Sequence, residues 1–168
     1  MFDFLTGTKR PASGTPALPR AEVIARIKAA ARPSAPWTVS DGSSEGVDLI
    51  AEWKIVDAQW YEIFAKAGLE KVFKIYLKLD DATHEVRAKD SEYEVEWRAG
   101  VPSVTLATKK FSGQTKEIEF GKAYGFTEKG TLGEIYNYKF KTSEIKDPIQ
   151  AAVTAAGWSY KGVAFGKL

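Results

Sequence analysis

The chain contains no cysteine, a single histidine (His84) and a single methionine. The missing cysteine excludes disulfides, thiol nucleophiles, iron–sulfur clusters and zinc–thiolate sites together. It is in keeping with a reducing compartment, and the cytoplasm is the expected location. One histidine also excludes a metal site of the HExxH kind. Charge of one sign is missing too: 24 Lys and Arg stand against 22 Asp and Glu, giving a net charge of +2, and the two signs are interleaved. A nucleic-acid binder concentrates a basic excess on one face, so no nucleic-acid partner is expected. No apolar run reaches the ~18 residues that a membrane-spanning helix needs. The opening MFDFLTGTKRP is not expected to be a signal peptide, because its apolar run is short and its positive charges follow that run. Neither GxxxxGK[ST] nor a strand–GxGxxG–helix arrangement occurs, and no cofactor is expected.

What is present is an ordinary globular mixture with many aromatics: 44% hydrophobic, 27% charged and 12% Phe, Trp and Tyr over 168 residues. That length suits one domain with a proper core, and the aromatics favour a β-rich interior or an aromatic-lined pocket. Residues 1–19 read as a flexible tail, because TGTKRPASGTPALP is too rich in Gly, Pro, Ser and Thr to bury much surface. Within it, Phe2, Phe4 and Leu5 are apolar enough to dock on the chain's own domain or to form a short partner-binding anchor. Residues 20–168 are expected to form a single α+β domain.

Helical spacing of Val23, Ile24 and Ile27, with Pro19 before and Pro33 after, predicts a first helix over about 20–31. Its other face carries Arg20, Arg26 and Lys28 and is expected to be solvated; peripheral membrane contact is the lesser alternative. From Trp37 the period becomes two. WTVS, the turn DGSSEG and VDLIAEWKIV read as a strand pair with Val47, Leu49, Ala51, Trp53 and Ile55 on one face. Asp57 as cap and Gly68 as terminator frame a second helix near 58–67. KVFKIYLKLD turns at DDAT and returns as HEVRAK, and EYEVEW then sets Tyr93, Val95 and Trp97 opposite Glu92, Glu94 and Glu96. Each segment offers one face for a core and one for water, as antiparallel sheets usually do. Further short strands follow. Asp147, Pro148 and Gly157 mark a last helix near 148–156, before a final strand.

Two stretches share the plan strand, Asp-capped helix, Gly, strand, which raises an internal duplication. The fold expected from the whole pattern is a predominantly antiparallel, strongly curved or barrel-like sheet of about eight or nine strands with three helices.

Candidate chemistry is thin. Asp80 and Asp81 precede His84, an arrangement usable for general-base catalysis, yet no nucleophile motif completes it and a hairpin turn explains it equally. Glu92, Glu94 and Glu96 alternate on one strand; paired carboxylates serve glycosidases, but Lys74, Lys78 and Arg87 nearby suit cross-strand charge pairing. No metal site and no catalytic residue is assigned. The expected function is a non-enzymatic binding module with a protein partner, met at uncapped sheet edges or by the tail residues Phe2, Phe4 and Leu5. The alternative is a small apolar ligand or lipid held in an interior lined by Trp53, Trp60, Trp97, Tyr136 and Tyr138. A carboxylate-based enzyme comes third.

Overall fold

The alternation of KVFKIYLKLD is realised as an extended strand whose Ile75, Leu77 and Leu79 are buried on one face while Lys74, Tyr76 and Lys78 point to the other. The computed structural model describes residues 7–32, 35, 37–54, 71–98, 101–113, 124–126, 136–138, 143–163 and 168. Strands β1 (Trp37–Asp41), β2 (Leu49–Trp53), β3 (Lys71–Asp80), β4 (Glu85–Arg98) and β5 (Val101–Gly113) pair antiparallel in that order. Short strands β6 (Tyr124–Phe126) and β7 (Tyr136–Tyr138) make a separate two-stranded sheet. The last strand, β8 (Ser159–Gly162), lies parallel to β4, pairing Glu85–Ala88 while β5 pairs β4 from Asp90 onward.

This corrects the expected fold class. The larger sheet has six strands, is mixed, and is open: among the described residues β1 pairs only with β2, so nothing closes a barrel. Two α-helices are described, α1 (Arg20–Ala30) and α2 (Ser143–Ala155), and the class is α+β with an antiparallel-rich sheet. The helix expected near 58–67 lies outside the described residues. The duplication fails on topology. In the first half, β2 and β3 are antiparallel neighbours; in the second, β7 and β8 belong to different sheets, and β8 runs parallel to β4. A strand–helix–strand plan recurs because both stretches alternate period 2 and period 3.6, not because the pairings match.

The core lies between one sheet face and the two helices. Register sets Trp37 opposite Trp53, Val39 opposite Ala51, Leu49 opposite Leu77 and Leu79 opposite Val86, so one face is apolar at these positions. Val23 and Ile27 of α1 and Ile145, Ile149 and Val153 of α2 cover it, all fully buried. The stripe at positions 145, 149 and 153 also explains why α2 begins a turn before the expected cap. Burying Ile145 and pairing Lys146 with Asp90 both need residues 143–147 to be helical. Asp147 and Pro148 therefore sit inside the helix, and the missing N–H of Pro148 removes one bond to the Glu144 carbonyl.

The end of α2 follows expectation. Gly157 is left-handed (φ 77°), its N–H bonds the Thr154 carbonyl at 3.0 Å, and the Trp158 N–H bonds the Val153 carbonyl at 3.1 Å. This is the Schellman pattern. Residues of the expected tail cross here. The Leu18 N–H bonds the Ala156 carbonyl at 2.9 Å, the Trp158 Nε1–H bonds the Leu18 carbonyl at 2.8 Å, and Lys9 and Tyr160 exchange two backbone bonds of 2.8 Å. A Cβ on Gly157 would stand 2.1 Å from the Pro16 carbonyl oxygen.

Gly157 and Gly46 share positive φ, but only Gly157 is enclosed; around Gly46 (φ 75°) the space is open. Gly46→Ala is expected to cost about 1 kcal/mol, the left-handed penalty alone. Gly157→Ala should cost at least about twice that, because the backbone of Pro16 cannot move aside cheaply. Urea denaturation of both variants checks the difference; equal losses would show that the crossing at Pro16 is not tight.

Candidate functional site

The sequence-predicted aromatic set does not assemble around one described cavity. Trp53 is 3% exposed and packs in the helix-covered core beside Trp37. Trp97 lies opposite Pro102 on the outer half of β4. Glu52, the neighbour of Trp53, stands opposite Lys74, which stands opposite Ser91 of β4; Trp97 is six residues beyond Ser91, about 20 Å along the strand. Tyr136 and Tyr138 stand opposite Phe126 and Tyr124 in the separate two-stranded sheet. Trp60, Phe2, Phe4 and Leu5 lie outside the described residues.

The groups considered for acid–base chemistry are spread out in the same way. His84 closes the turn 81–84 rather than opening β4, and it is left-handed (φ 52°), a conformation that His adopts more readily than most residues. Its ring packs 5.3 Å, centroid to centroid, from Trp158, and its carbonyl accepts the Ser159 N–H at 2.9 Å. It therefore caps a buried tryptophan at the point where β8 begins. Asp80 Oδ1 accepts the Ala82 N–H at 3.0 Å, which stabilises the turn. Asp81 and Asp48 receive the Arg20 guanidinium at 3.4 and 2.5 Å, and Asp48 also accepts the Leu79 N–H, so Arg20 clamps the start of α1 to the end of β3. Glu92 is eight residues beyond His84, about 26 Å along an extended strand, and Glu94 and Glu96 are further still. Among the described residues no three His, Asp or Glu side chains come together as a metal site.

A polar cluster that the sequence reading missed lies under α2. Asp90 falls on the apolar face two positions after Ala88; it is fully buried and paired with Lys146 at 2.5 Å. Tyr160 stands opposite Val86 on that face, also fully buried, and its hydroxyl has no hydrogen-bond partner among the described residues. Burial first, and the negative charge of Asp90 second, push the Tyr160 phenol well above its ordinary value. A phenol held so firmly neutral is a poor proton donor at neutral pH, and the arrangement pins α2 to the sheet. The alternation of β4 offered one signal, since Asp90 continues Val86 and Ala88 on the buried side; its partner at position 146 was not readable.

The opposite sheet face carries the exposed charge and is the candidate site. Register places Lys78 directly opposite Arg87, and Arg87 directly opposite Lys161, on three consecutive strands and on the side facing away from α1 and α2. Lys74 pairs Glu52 at 3.1 Å and Lys161 reaches Glu85 at 3.5 Å. Arg87 forms no ion pair among the described residues, and its Nε is closed off from solvent without a hydrogen-bond partner. Lys78 and Arg87 line a surface depression of about 430 Å³ together with Leu79, Asp80, Asp81, Ala82 and Leu168. Comparison of the chain with family models, with curated proteins and with solved structures gives no match. No described helix is long and apolar enough to cross a membrane.

The buried cluster sets a pH dependence. The Tyr160 phenol titrates higher in the folded than in the unfolded chain, so its contribution to stability is intact below the unfolded value near 10 and falls as the pH rises above it. Tyr160→Phe is expected to leave stability at pH 7 unchanged or up to about 1 kcal/mol higher, because a buried hydroxyl without a partner is removed. The variant should also show less alkaline destabilisation, read by urea midpoints between pH 8 and 11. Lys146→Met, which strands the buried Asp90 charge, should lose about 3–5 kcal/mol.

Proposed function

We propose that the protein is a non-enzymatic binding module that takes a protein partner at the open edge of its larger sheet, along β1. The observation that carries this reading is the pairing of β1 with β2 alone among the described residues. The Gly42 N–H bonds the Asp48 carbonyl at 3.0 Å. By the alternation of an antiparallel ladder, Thr38 and Ser40 then turn their backbone toward β2, while Val39 and Asp41 turn theirs outward. An outward row of donors and acceptors is what an extended segment of another protein adds to. The strand itself is anchored, since Trp37 is 3% exposed and belongs to the core. A rigid edge of this kind accepts a partner with little loss of its own freedom. The cytoplasm is the compartment we assign, in keeping with the cysteine-free sequence.

The test separates the edge from the fold. Val39→Pro removes an outward N–H and is expected to keep the thermal midpoint within a few degrees while abolishing capture of the partner that wild-type protein retains from its host extract. Thr38→Pro removes an inward N–H and should lower the midpoint clearly. Capture undiminished by Val39→Pro would reject β1 as the docking edge.

A further inference from the structure

The sheet face turned away from α1 and α2 contains an arrangement that folding alone does not explain. Lys78, Arg87 and Lys161 are cross-strand neighbours on β3, β4 and β8. Strands about 4.8 Å apart bring the three residues within about 10 Å of one another. Like charges directly opposite on a sheet are destabilising. The acids around the row do not offset it at its centre. Glu85 engages Lys161, the Asp80 carboxylate accepts the Ala82 N–H, and Asp81 is drawn to Arg20. None of them pairs with Arg87 or Lys78 among the described residues, although Asp80 and Glu85 occupy the adjacent row.

Arg87 is the central member. It is half-buried and has no ion-pair partner among the described residues; its Nε is shielded from solvent, so the terminal guanidinium nitrogens are the ones a ligand can meet. The neighbouring depression, about 430 Å³, is lined by Lys78 and Arg87 together with Leu79, Asp80, Asp81, Ala82 and Leu168, and Lys161 stands outside that lining. We propose that Lys78, Arg87 and Lys161 form a binding site for a compact phosphate dianion, either inorganic phosphate or the phosphoryl group of a small monoester. The planar Arg87 fork supplies two parallel bonds to one oxyanion, and the lysine ammonium groups on either side add charge without fixed geometry. Asp80 and Asp81, which share the lining with Lys78 and Arg87, limit the negative charge the site accepts and disfavour a long polyanion. This site is independent of the β1 edge: its face, residues and ligand chemistry are separate.

The experiment is calorimetric titration of the full chain with inorganic phosphate at fixed ionic strength, with acetate as a parallel arm, beside thermal unfolding in phosphate-free buffer. Wild type is expected to bind phosphate and to gain thermal midpoint with it. Arg87→Gln should weaken binding at least about tenfold. In phosphate-free buffer it should unfold at the same or a higher temperature than wild type, because the row then carries one charge fewer. Lys78→Gln, at an exposed position, serves as the second variant and should weaken binding to a lesser degree. Lys28→Gln on α1 should change nothing. Phosphate binding that survives both row variants, or no binding by wild type at millimolar phosphate, overturns the site. Equal affinity for acetate overturns the phosphate assignment. Glucose 6-phosphate binding more tightly than inorganic phosphate would identify the monoester as the source of the group; the reverse order would identify the free ion.

Discussion

At Gly157 the chain leaves α2 in a left-handed turn, and two residues later it pairs in parallel with β4. The geometry on either side depends on that reversal. It lays the Ile145, Ile149 and Val153 stripe against the sheet, sends Tyr160 into the core, and leaves Lys161 on the outer face beside Arg87. It also makes room for the backbone at Pro16 to pass where any side chain would stand. One residue without a Cβ therefore fixes a helix, a strand and a crossing segment at once, and the two faces of the sheet acquire their different characters from it.

Those faces divide the ionisable groups into two kinds of work. Under the helices, Asp90 and Lys146 are paired where solvent is excluded, and breaking one partner is far more costly than replacing both. On the outer face, pairs such as Lys74 with Glu52 remain in contact with water and add little to stability. Arg87 belongs to neither kind, being half-buried, charged and without a counter-ion among the described residues. A group in that condition is the strongest indication on this sheet that a ligand completes the arrangement.

Local patterns in the sequence were informative where a contact is made close by in the chain. The period-2 face of Ile75, Leu77 and Leu79, the helix at Val23 and Ile27, and the left-handed Gly157 all follow from neighbours a few residues away. Barrel closure did not follow, because alternation fixes which side a residue faces and not which strand lies next to it. Counting alternating segments therefore gave too many strands for one sheet, when Tyr124–Phe126 and Tyr136–Tyr138 form a sheet of their own. The early start of α2 was hidden by the strong Asp-Pro signal at 147 and 148, since the partner that rewards the extra turn, Asp90, is distant in sequence. The row of Lys78, Arg87 and Lys161 was legible only in part. Lys78 and Arg87 face outward by simple alternation, but the parallel neighbour that adds Lys161 comes from the other end of the chain.

The shared edge of β4 has a kinetic meaning. β3 and β4 are joined by a four-residue turn and β1 and β2 by a short connection, residues 42–48, so these two hairpin pairings close short loops and form quickly. The β8 pairing brings residues near the C-terminal end of the chain to Glu85–Ala88, and Lys9 reaches Tyr160 from near the other end. Loop closure of that length comes late. Until it closes, Glu85–Ala88 of β4 and the apolar face that α2 covers lie open together, a combination that favours self-association.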